Sequence, residues 1–364
     1  MNHIKKRIGL ALSGGGMRAA VFHLGVLQCL AENSLLKQVT HISTVSGASI
    51  CMGLIYGCNQ NKWPSDEEYL QQVLPLIKQN IMEKDIQWHA LARLLVEPYY
   101  WNKKVNLLAN VMEQRWVVHG CLQDIPRFPK WTINTTAYES GKDFRISASQ
   151  MGSLQTGFVA QPRFPVSHAM AASAGFPILI GPYKLKTKDY KWVNEEGKKI
   201  EAEDRMLHLW DGGVYDNMGL DPLFHIGVNT SFAKDIDYLI VSNAAGDISH
   251  KTRKMSFSIE NLKRLLDISM DQVESLKSRS VISYFQKYHN GLYIKIGREV
   301  KDMLQYCELP FEEKQKLLVS ALSAKDVKKV AEYKTTLEKI GQHDFDLISR
   351  HGYELADCLI KCFG

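Results

Sequence analysis

The sequence has no Cys-x-x-Cys pair. Its cysteines, Cys29, Cys51, Cys58, Cys121, Cys307, Cys358 and Cys362, are scattered and odd in number, so neither a disulfide framework nor a structural zinc site is expected. A reducing, cytoplasmic setting is the simplest reading of that pattern. No apolar run approaches the roughly eighteen residues that a membrane-crossing helix needs. Met1 to Arg7 leads straight into a strand-like segment, without the apolar core or cleavage site of an export signal. Any membrane contact is therefore expected to be peripheral. No basic run is interleaved with aromatics, which argues against nucleic-acid binding. Low-complexity tracts, internal repeats and linkers are also missing. What is there is ordinary globular composition, 45% hydrophobic and 23% charged over 364 residues, ample for a sizeable α/β core. The net charge of +6 suits an anionic membrane surface without singling it out.

Strand, helix and strand follow one another at the start. Ile8–Leu12 reads as a short buried strand, and Ser13-Gly14-Gly15-Gly16 ends it. Met17 to Asn33 carries Val21, Leu24, Leu27 and Leu30 at helical spacing, and Val39 to Val45 is a second strand. The right-handed crossover makes such strands parallel. Residues 59 to about 130 form a helical insertion rich in Trp63, Trp88, Tyr99, Tyr100, Trp101 and Trp116, most of them expected in core packing. Trp131–Ala137 and Phe144–Ser147 pair as a hairpin, Val166 to Gly175 is helical, and lysine-rich Tyr183 to Arg205 reads as an exposed hairpin. Strands at Leu207–Trp210 and Asp237–Ser242 follow. Beyond Ser249 the chain turns helical. Ile259, Leu262, Leu266, Val273 and Leu276 form an apolar stripe on one long helix, and the last seventy residues complete the same domain. The expected division is a catalytic core over 1–250, with its insertion, and a helical C-terminal part over 251–364.

The chemistry is expected at His41 to Ile50, where a β-branched strand turns through small residues into an apolar helix. A serine at the tip of such a turn stands clear of the backbone at a helix N-terminus. The usual elbow is Gly-x-Ser-x-Gly. Here Thr44 and Ala48 hold the glycine positions and Gly47 follows Ser46 directly, a relaxed form of that turn. Acyl transfer also needs a base and donors for the oxyanion. Gly14, Gly15 and Gly16 offer backbone N–H groups at a helix N-terminus, and Arg18 in the first helical turn is placed for an anion. That glycine run lacks the Gly-Lys-Ser/Thr of a nucleotide-binding loop. Asp211, in Asp-Gly-Gly after a strand, is the candidate base.

Four blocks carry a resemblance. Ser13-Gly14-Gly15-Gly16-Met17-Arg18, Thr44 to Ser49, Ala172-Ser173-Ala174-Gly175-Phe176-Pro177 and Asp211-Gly212-Gly213-Val214-Tyr215-Asp216-Asn217 resemble the patatin-like phospholipases in order and spacing. The Gly-Gly-Gly-x-Arg and Val-Ser-Gly forms are also similar to the cytosolic phospholipases of that superfamily. The likeness runs from about Ile8 to Ala245. Arg350-His351-Gly352-Tyr353 looks like the C-terminal ends of bacterial members. The resemblance implies a three-layer α/β fold with a mainly parallel sheet, and hydrolysis of fatty-acyl esters of phospholipids. It implies a Ser–Asp dyad without histidine, no cofactor and no metal. Carried over, Ser46 is the nucleophile, Asp211 the base, Gly14 to Gly16 the oxyanion hole and Arg18 its support. Two other readings are a Ser-His-Asp esterase using His168 or His208, and a non-catalytic lipid-binding module on the same fold. A lipase without an export signal also implies control by a ligand or partner. Oligomeric state, head group and chain length are left open.

Overall fold

Residues 6–116, 118–177, 180–246 and 259–364 are described by the computed structural model. The first strand–helix–strand unit is β1 (Ile8–Leu12), α1 (Gly16–Glu32) and β2 (Val39–Val45), and α2 (Gly47–Cys58) follows without a gap beyond Ser46. The insertion holds α3 (Asp66–Glu68), which runs through a π-turn into α4 (Leu74–Glu83), then α5 (Ile86–Val96) and α6 (Lys104–Arg115). A sheet-building stretch follows: β3 (Lys130–Ala137), β4 (Lys142–Ile146), β5 (Gln150–Ser153), β6 (Gly157–Ala160), α7 (Val166–Ser173), β7 (Tyr183–Lys186), β8 (Trp192–Val193), β9 (Lys199–Ile200) and β10 (Met206–Asp211). Next come the one-turn α8 (Gly213–Asp216), β11 (Phe224–His225), β12 (Ser231–Phe232), β13 (Tyr238–Asn243), the long α9 (Ile259–Tyr288) and β14 (Gly291–Lys295). Four helices close the chain: α10 (Val300–Met303), α11 (Phe311–Ser320), α12 (Ala324–Ala331) and α13 (Gln342–Phe363).

The sheet is mixed, with a parallel centre. Strands β14, β13, β1, β2 and β3 lie side by side and parallel, and from β3 outward β4, β5, β6, β8 and β9 continue antiparallel. Period-two alternation sends side chains to two separate cores. Leu10, Leu12 and Ile240 join the core under α1, α2, α7 and α13, whereas Ala11, Leu239 and Val241 meet Val281 and Phe285 of α9 on the other face. Helices on both faces of a central sheet give three layers. The C-terminal helix α13 packs on α1 backbone to backbone. A Cβ on Gly25 would lie 1.8 Å from the Ser349 carbonyl oxygen, and one on Gly352 would lie 2.1 Å from that of Phe22. Any side chain at either position forces the two helices apart.

Several expectations are corrected. Cys307 and Cys362 form a disulfide across 55 residues of sequence, with Cα atoms 5.4 Å apart. The pair carries no spacing signature, and it removes the cysteine argument for a reducing compartment. Tyr183–Arg205 is more than an exposed hairpin. Its β7 pairs with β10 and buries Tyr183 and Leu185, and only β8 and β9 form the hairpin, around Asn194–Gly197. Of the six aromatics in the insertion, Trp116 is buried, while Trp88, Tyr99 and Trp101 are exposed. On α9 the apolar stripe is exposed at Ile259, Leu262, Val273 and Leu276. Buried Val281 and Phe285 and a set of ion pairs hold the helix: Lys277 pairs with Asp216 (3.2 Å) and Asp221 (2.6 Å), and Glu274 with Lys295 (2.8 Å). The expected division at 250/251 lies outside the described residues. No helix among the described residues is long and apolar enough to cross a membrane.

Candidate active site

Two strands meet head to head on one edge of β3. Strand β2 runs parallel to β3 and ends with Val45 opposite Asn134, and β10 runs antiparallel and ends with Asp211 opposite the next residue, Thr135. Strand β4 occupies the other edge, because Asn134 and Thr135 also pair with Arg145 and Phe144. The residue after β2 is Ser46 and the last residue of β10 is Asp211. Their side chains face each other, the Ser46 hydroxyl close enough to the Asp211 carboxyl to favour its anion. Both are buried, at 8% and 4% exposure.

Ser46 has φ 52° and ψ −118°, a strained conformation for a residue with a Cβ, as expected at a sharp strand-to-helix turn. A hydroxyl chain holds that strain. Trp131 Nε1–H donates to Thr44 Oγ1 at 2.9 Å, Thr44 and Ser49 hydroxyls lie 2.9 Å apart, and Ser49 and Ser173 hydroxyls also lie 2.9 Å apart. Ser173 donates its only proton to the Asn134 carbonyl oxygen at 2.8 Å and accepts the Ser46 backbone N–H at 2.9 Å. The Asn134 carbonyl can only accept, so every proton in the chain is placed: Thr44 donates to Ser49, and Ser49 to Ser173. Thr44 therefore does what a glycine cannot. Gly47 is required for another reason. A Cβ there would lie 2.0 Å from the Gly16 carbonyl oxygen, so the elbow and the glycine loop touch through backbone alone.

The glycine loop is only partly available to a ligand. Gly14 was expected among the oxyanion donors, but its N–H is engaged, donating to the Asn217 carbonyl oxygen at 3.0 Å. Neither the Gly15 nor the Gly16 N–H has an acceptor among the described residues. Their φ values of 143° and 62° fall where glycine is favoured. Arg18 lies behind this loop, 6% exposed, with its Nη2 3.5 Å from where a Gly15 Cβ would stand. Its Nη1 donates to the carbonyl oxygens of Ala331 (2.9 Å) and Tyr333 (2.8 Å), and Met17 N–H donates to that of Thr336 (2.9 Å). Burial lowers the Arg18 pKa to about 10, opposed by Glu274, and the group stays cationic at neutral pH. The C-terminal segment thus braces the N-terminus of α1.

Asp211 accepts the Gly213 N–H at 2.8 Å. Burial raises its pKa from 3.8 to about 6, against the Gly213 N–H bond and the facing Ser46 hydroxyl, which favour the anion. The Asn217 side chain wedges between the two loops, with Oδ1 2.5 Å from where a Cβ on Gly14 would stand and 2.8 Å from the same position on Gly213. Its Nδ2 donates to Glu274 of α9 (3.4 Å), which also accepts from Asn243 (2.7 Å) and Lys295 (2.8 Å). Met270 of α9 covers Gly213, its Cε 3.1 Å from the Cβ position there. The cover over the Asp211 turn therefore includes α9. His168, half-buried with its pKa lowered to about 4 by desolvation, bonds Tyr183 at 2.8 Å, and His208 bonds Glu139 at 2.6 Å. Neither reaches the dyad. Among the described residues no three His, Cys, Asp or Glu side chains converge as a metal site.

The structure brings Ser46, Gly47, Gly15, Gly16 and Asp211 together, with Thr44 and Arg18 in support, while Ala48 is buried in the core. Sequence reasoning gave no role to Ser173, Asn134, Asn217 or Glu274. Ser173 and Asn217 lie inside the quoted blocks, so a signal was present for them. Glu274 lies on a helix whose polar residues look solvated, and no local pattern marks it.

A family model described as patatin-like phospholipase matches residues 10–224. No curated protein sequence matches the chain. Among solved structures, human GIVD cytosolic phospholipase A2 superposes with a TM-score of 0.56 at 11% identity, covering 97% of this chain and 61% of that one. The same human protein in complex with methyl γ-linolenyl fluorophosphonate gives a TM-score of 0.52 at 15% identity, covering 97% and 57%. This chain thus spans less than two thirds of those structures, and at such identities the likeness is one of fold. Because the family model covers more than half of the chain and the fold agrees with it, the chain belongs to the patatin-like phospholipase family.

Proposed function

We propose that the chain is a lipid acyl hydrolase of phospholipase A or lysophospholipase type, cleaving fatty-acyl esters with Ser46 as nucleophile and Asp211 as general base. One observation carries the reading: the Ser46 hydroxyl faces a buried carboxyl, beside a glycine loop with two N–H groups free among the described residues. Ser46 Oγ attacks the acyl carbonyl carbon as its proton passes to Asp211. The tetrahedral oxyanion is held by Gly15 and Gly16 N–H, and buried Arg18 behind the loop adds positive potential. Collapse expels the alcohol, which takes the proton from Asp211, and leaves an acyl-Ser46 ester. Water, giving its proton to the same carboxylate, then attacks the ester carbonyl; the Ser46 Oγ–acyl bond breaks, Oγ takes the proton back from Asp211, and the fatty acid leaves. A carboxyl whose pKa is raised to about 6 is ionised at neutral pH yet basic enough to accept a proton.

The substrate is met at a membrane surface. The exposed side of α9 presents Leu262, Leu265, Ile268 and Leu276, while its inner side places Met270 over the catalytic turn, so an apolar face lies next to the site. We also take the C-terminal region as part of the catalytic domain, since Ala331, Tyr333 and Thr336 hold Arg18 and Met17.

The test is incubation of the purified protein with mixed phospholipids, reading released fatty acids by mass spectrometry, and with a fluorophosphonate probe. Expected are fatty-acid release, labelling at Ser46, loss of both in Ser46→Ala and loss of hydrolysis in Asp211→Ala, with activity kept in His208→Ala. Loss in the histidine variant favours a Ser-His-Asp esterase. An unlabelled, inactive protein that still binds lipid vesicles favours a binding module.

A further inference from the structure

We infer that His23 is a positioning residue for the oxyanion hole, fixing from behind the peptide at which the glycine loop begins; this rests on the hydrolase reading above. His23 lies on α1, wholly buried, and both ring nitrogens are engaged: Nε2 with the Ser13 carbonyl oxygen and Nδ1 with Ser242 Oγ, each at 2.9 Å. A carbonyl oxygen only accepts, so Nε2 carries the proton. Nδ1 is then bare and accepts from the Ser242 hydroxyl. Burial, which lowers its pKa to about 4, keeps the ring neutral and this tautomer in place.

The consequence propagates along three peptides. In a trans peptide the C=O and N–H point in opposite directions, so tying one aims the other. The Ser13–Gly14 peptide is held at both edges, its carbonyl by His23 and its N–H by the Asn217 carbonyl oxygen. The Gly14 carbonyl faces Ser13 Oγ at 3.3 Å, which leaves the Gly15 N–H on the other edge. Ser13 Oγ is itself located by the Ala244 N–H at 2.7 Å. The Gly15 carbonyl accepts the Ala19 N–H at 3.3 Å inside α1, so the Gly16 N–H points away from the helix body. Three consecutive glycines have little intrinsic preference for this arrangement. A flipped peptide would present a carbonyl, not a donor, to the oxyanion. The His23 bond ties the start of the loop to α1 and, through Ser242, to the end of β13. Neither ring nitrogen is left to take a proton from Ser46, so the residue acts through the loop and not on substrate.

His23→Phe keeps a ring of similar size and removes both bonds, whereas His23→Gln keeps an N–H donor near the Nε2 position. The experiment measures kcat and KM on a short-chain p-nitrophenyl ester, and the rate of fluorophosphonate labelling at Ser46. For His23→Phe a fall of roughly 10- to 100-fold in kcat is expected, with KM within about threefold, as for a weakened or lost oxyanion donor. His23→Gln is expected to recover most of it. Should His23→Phe fail to fold, Ser242→Ala, which frees the ring at one nitrogen only, is expected to lower kcat by about 3- to 10-fold through the same loop. Folded His23→Phe or Ser242→Ala proteins with wild-type kcat overturn the inference. So does His23→Gln that folds but stays as inactive as His23→Phe. An unlabelled wild-type protein removes the hydrolase reading and this inference with it, whereas equal labelling of wild type and His23→Phe removes this inference alone.

Discussion

Asp211→Asn should stabilise the protein while abolishing its activity, and only above a definite pH. The Asp211 carboxyl is 4% exposed, and burial raises its pKa from 3.8 to about 6. A carboxyl whose pKa is higher folded than unfolded ionises first in the unfolded chain, so stability falls as pH climbs from about 4 to about 6. Below that window the group is protonated in both states and costs nothing. Above it the full penalty applies. A shift of about two units at 1.36 kcal/mol each is about 3 kcal/mol. Asparagine keeps an oxygen that can accept the Gly213 N–H and carries no charge to desolvate. Urea unfolding followed by circular dichroism is therefore expected to show Asp211→Asn more stable than wild type by up to about 3 kcal/mol at pH 8, and no more stable at pH 3.5. The same ionisation governs catalysis: a base must be deprotonated, so wild-type kcat/KM should fall tenfold per pH unit below about 6. A variant no more stable than wild type at pH 8, or equally stabilised at both pH values, would refute the account of Asp211 as a buried anion held for function.

Three further outcomes test other parts of the site. Gly47→Ala puts a methyl 2.0 Å from the Gly16 carbonyl oxygen, so the elbow and glycine loop must separate; activity below about 1% of wild type is expected, and wild-type kcat would break the backbone-contact argument. Ser173→Ala leaves the buried Ser46 N–H without its acceptor and should cost about 2 kcal/mol of stability by thermal melting, with a fall in kcat. A melting point unchanged within a degree would show the hydroxyl chain to be dispensable. Ile268→Glu on the exposed side of α9 is expected to slow hydrolysis of phospholipid vesicles by about tenfold while leaving a soluble ester unaffected, and equal loss on both substrates would remove α9 from membrane docking.

Local pattern and tertiary structure divided the problem along a physical line. Buried-strand alternation and helical spacing made Ile8–Leu12, α1, β2 and α2 legible, and small residues at strand ends marked Ser46, Gly15, Gly16 and Asp211. Those signals are local, because backbone dihedrals and burial period are set within a few residues. On α9, helical periodicity marks Ile259, Leu262 and Leu276 as one stripe, yet these are exposed, and the packed side carries Val281, Phe285, Glu274 and Lys277, whose partners are distant in sequence. The Cys307–Cys362 pair, the loss of Gly14 as a donor to Asn217, and the hold of Ala331 and Tyr333 on Arg18 are likewise contacts across long separations. What the sequence by itself determined is which small-residue turns end β1, β2 and β10, and so which residues the proposed chemistry draws on. Only the tertiary structure decided that β2 and β10 end head to head on β3, since strand pairing depends on which edges remain free once the whole sheet has assembled.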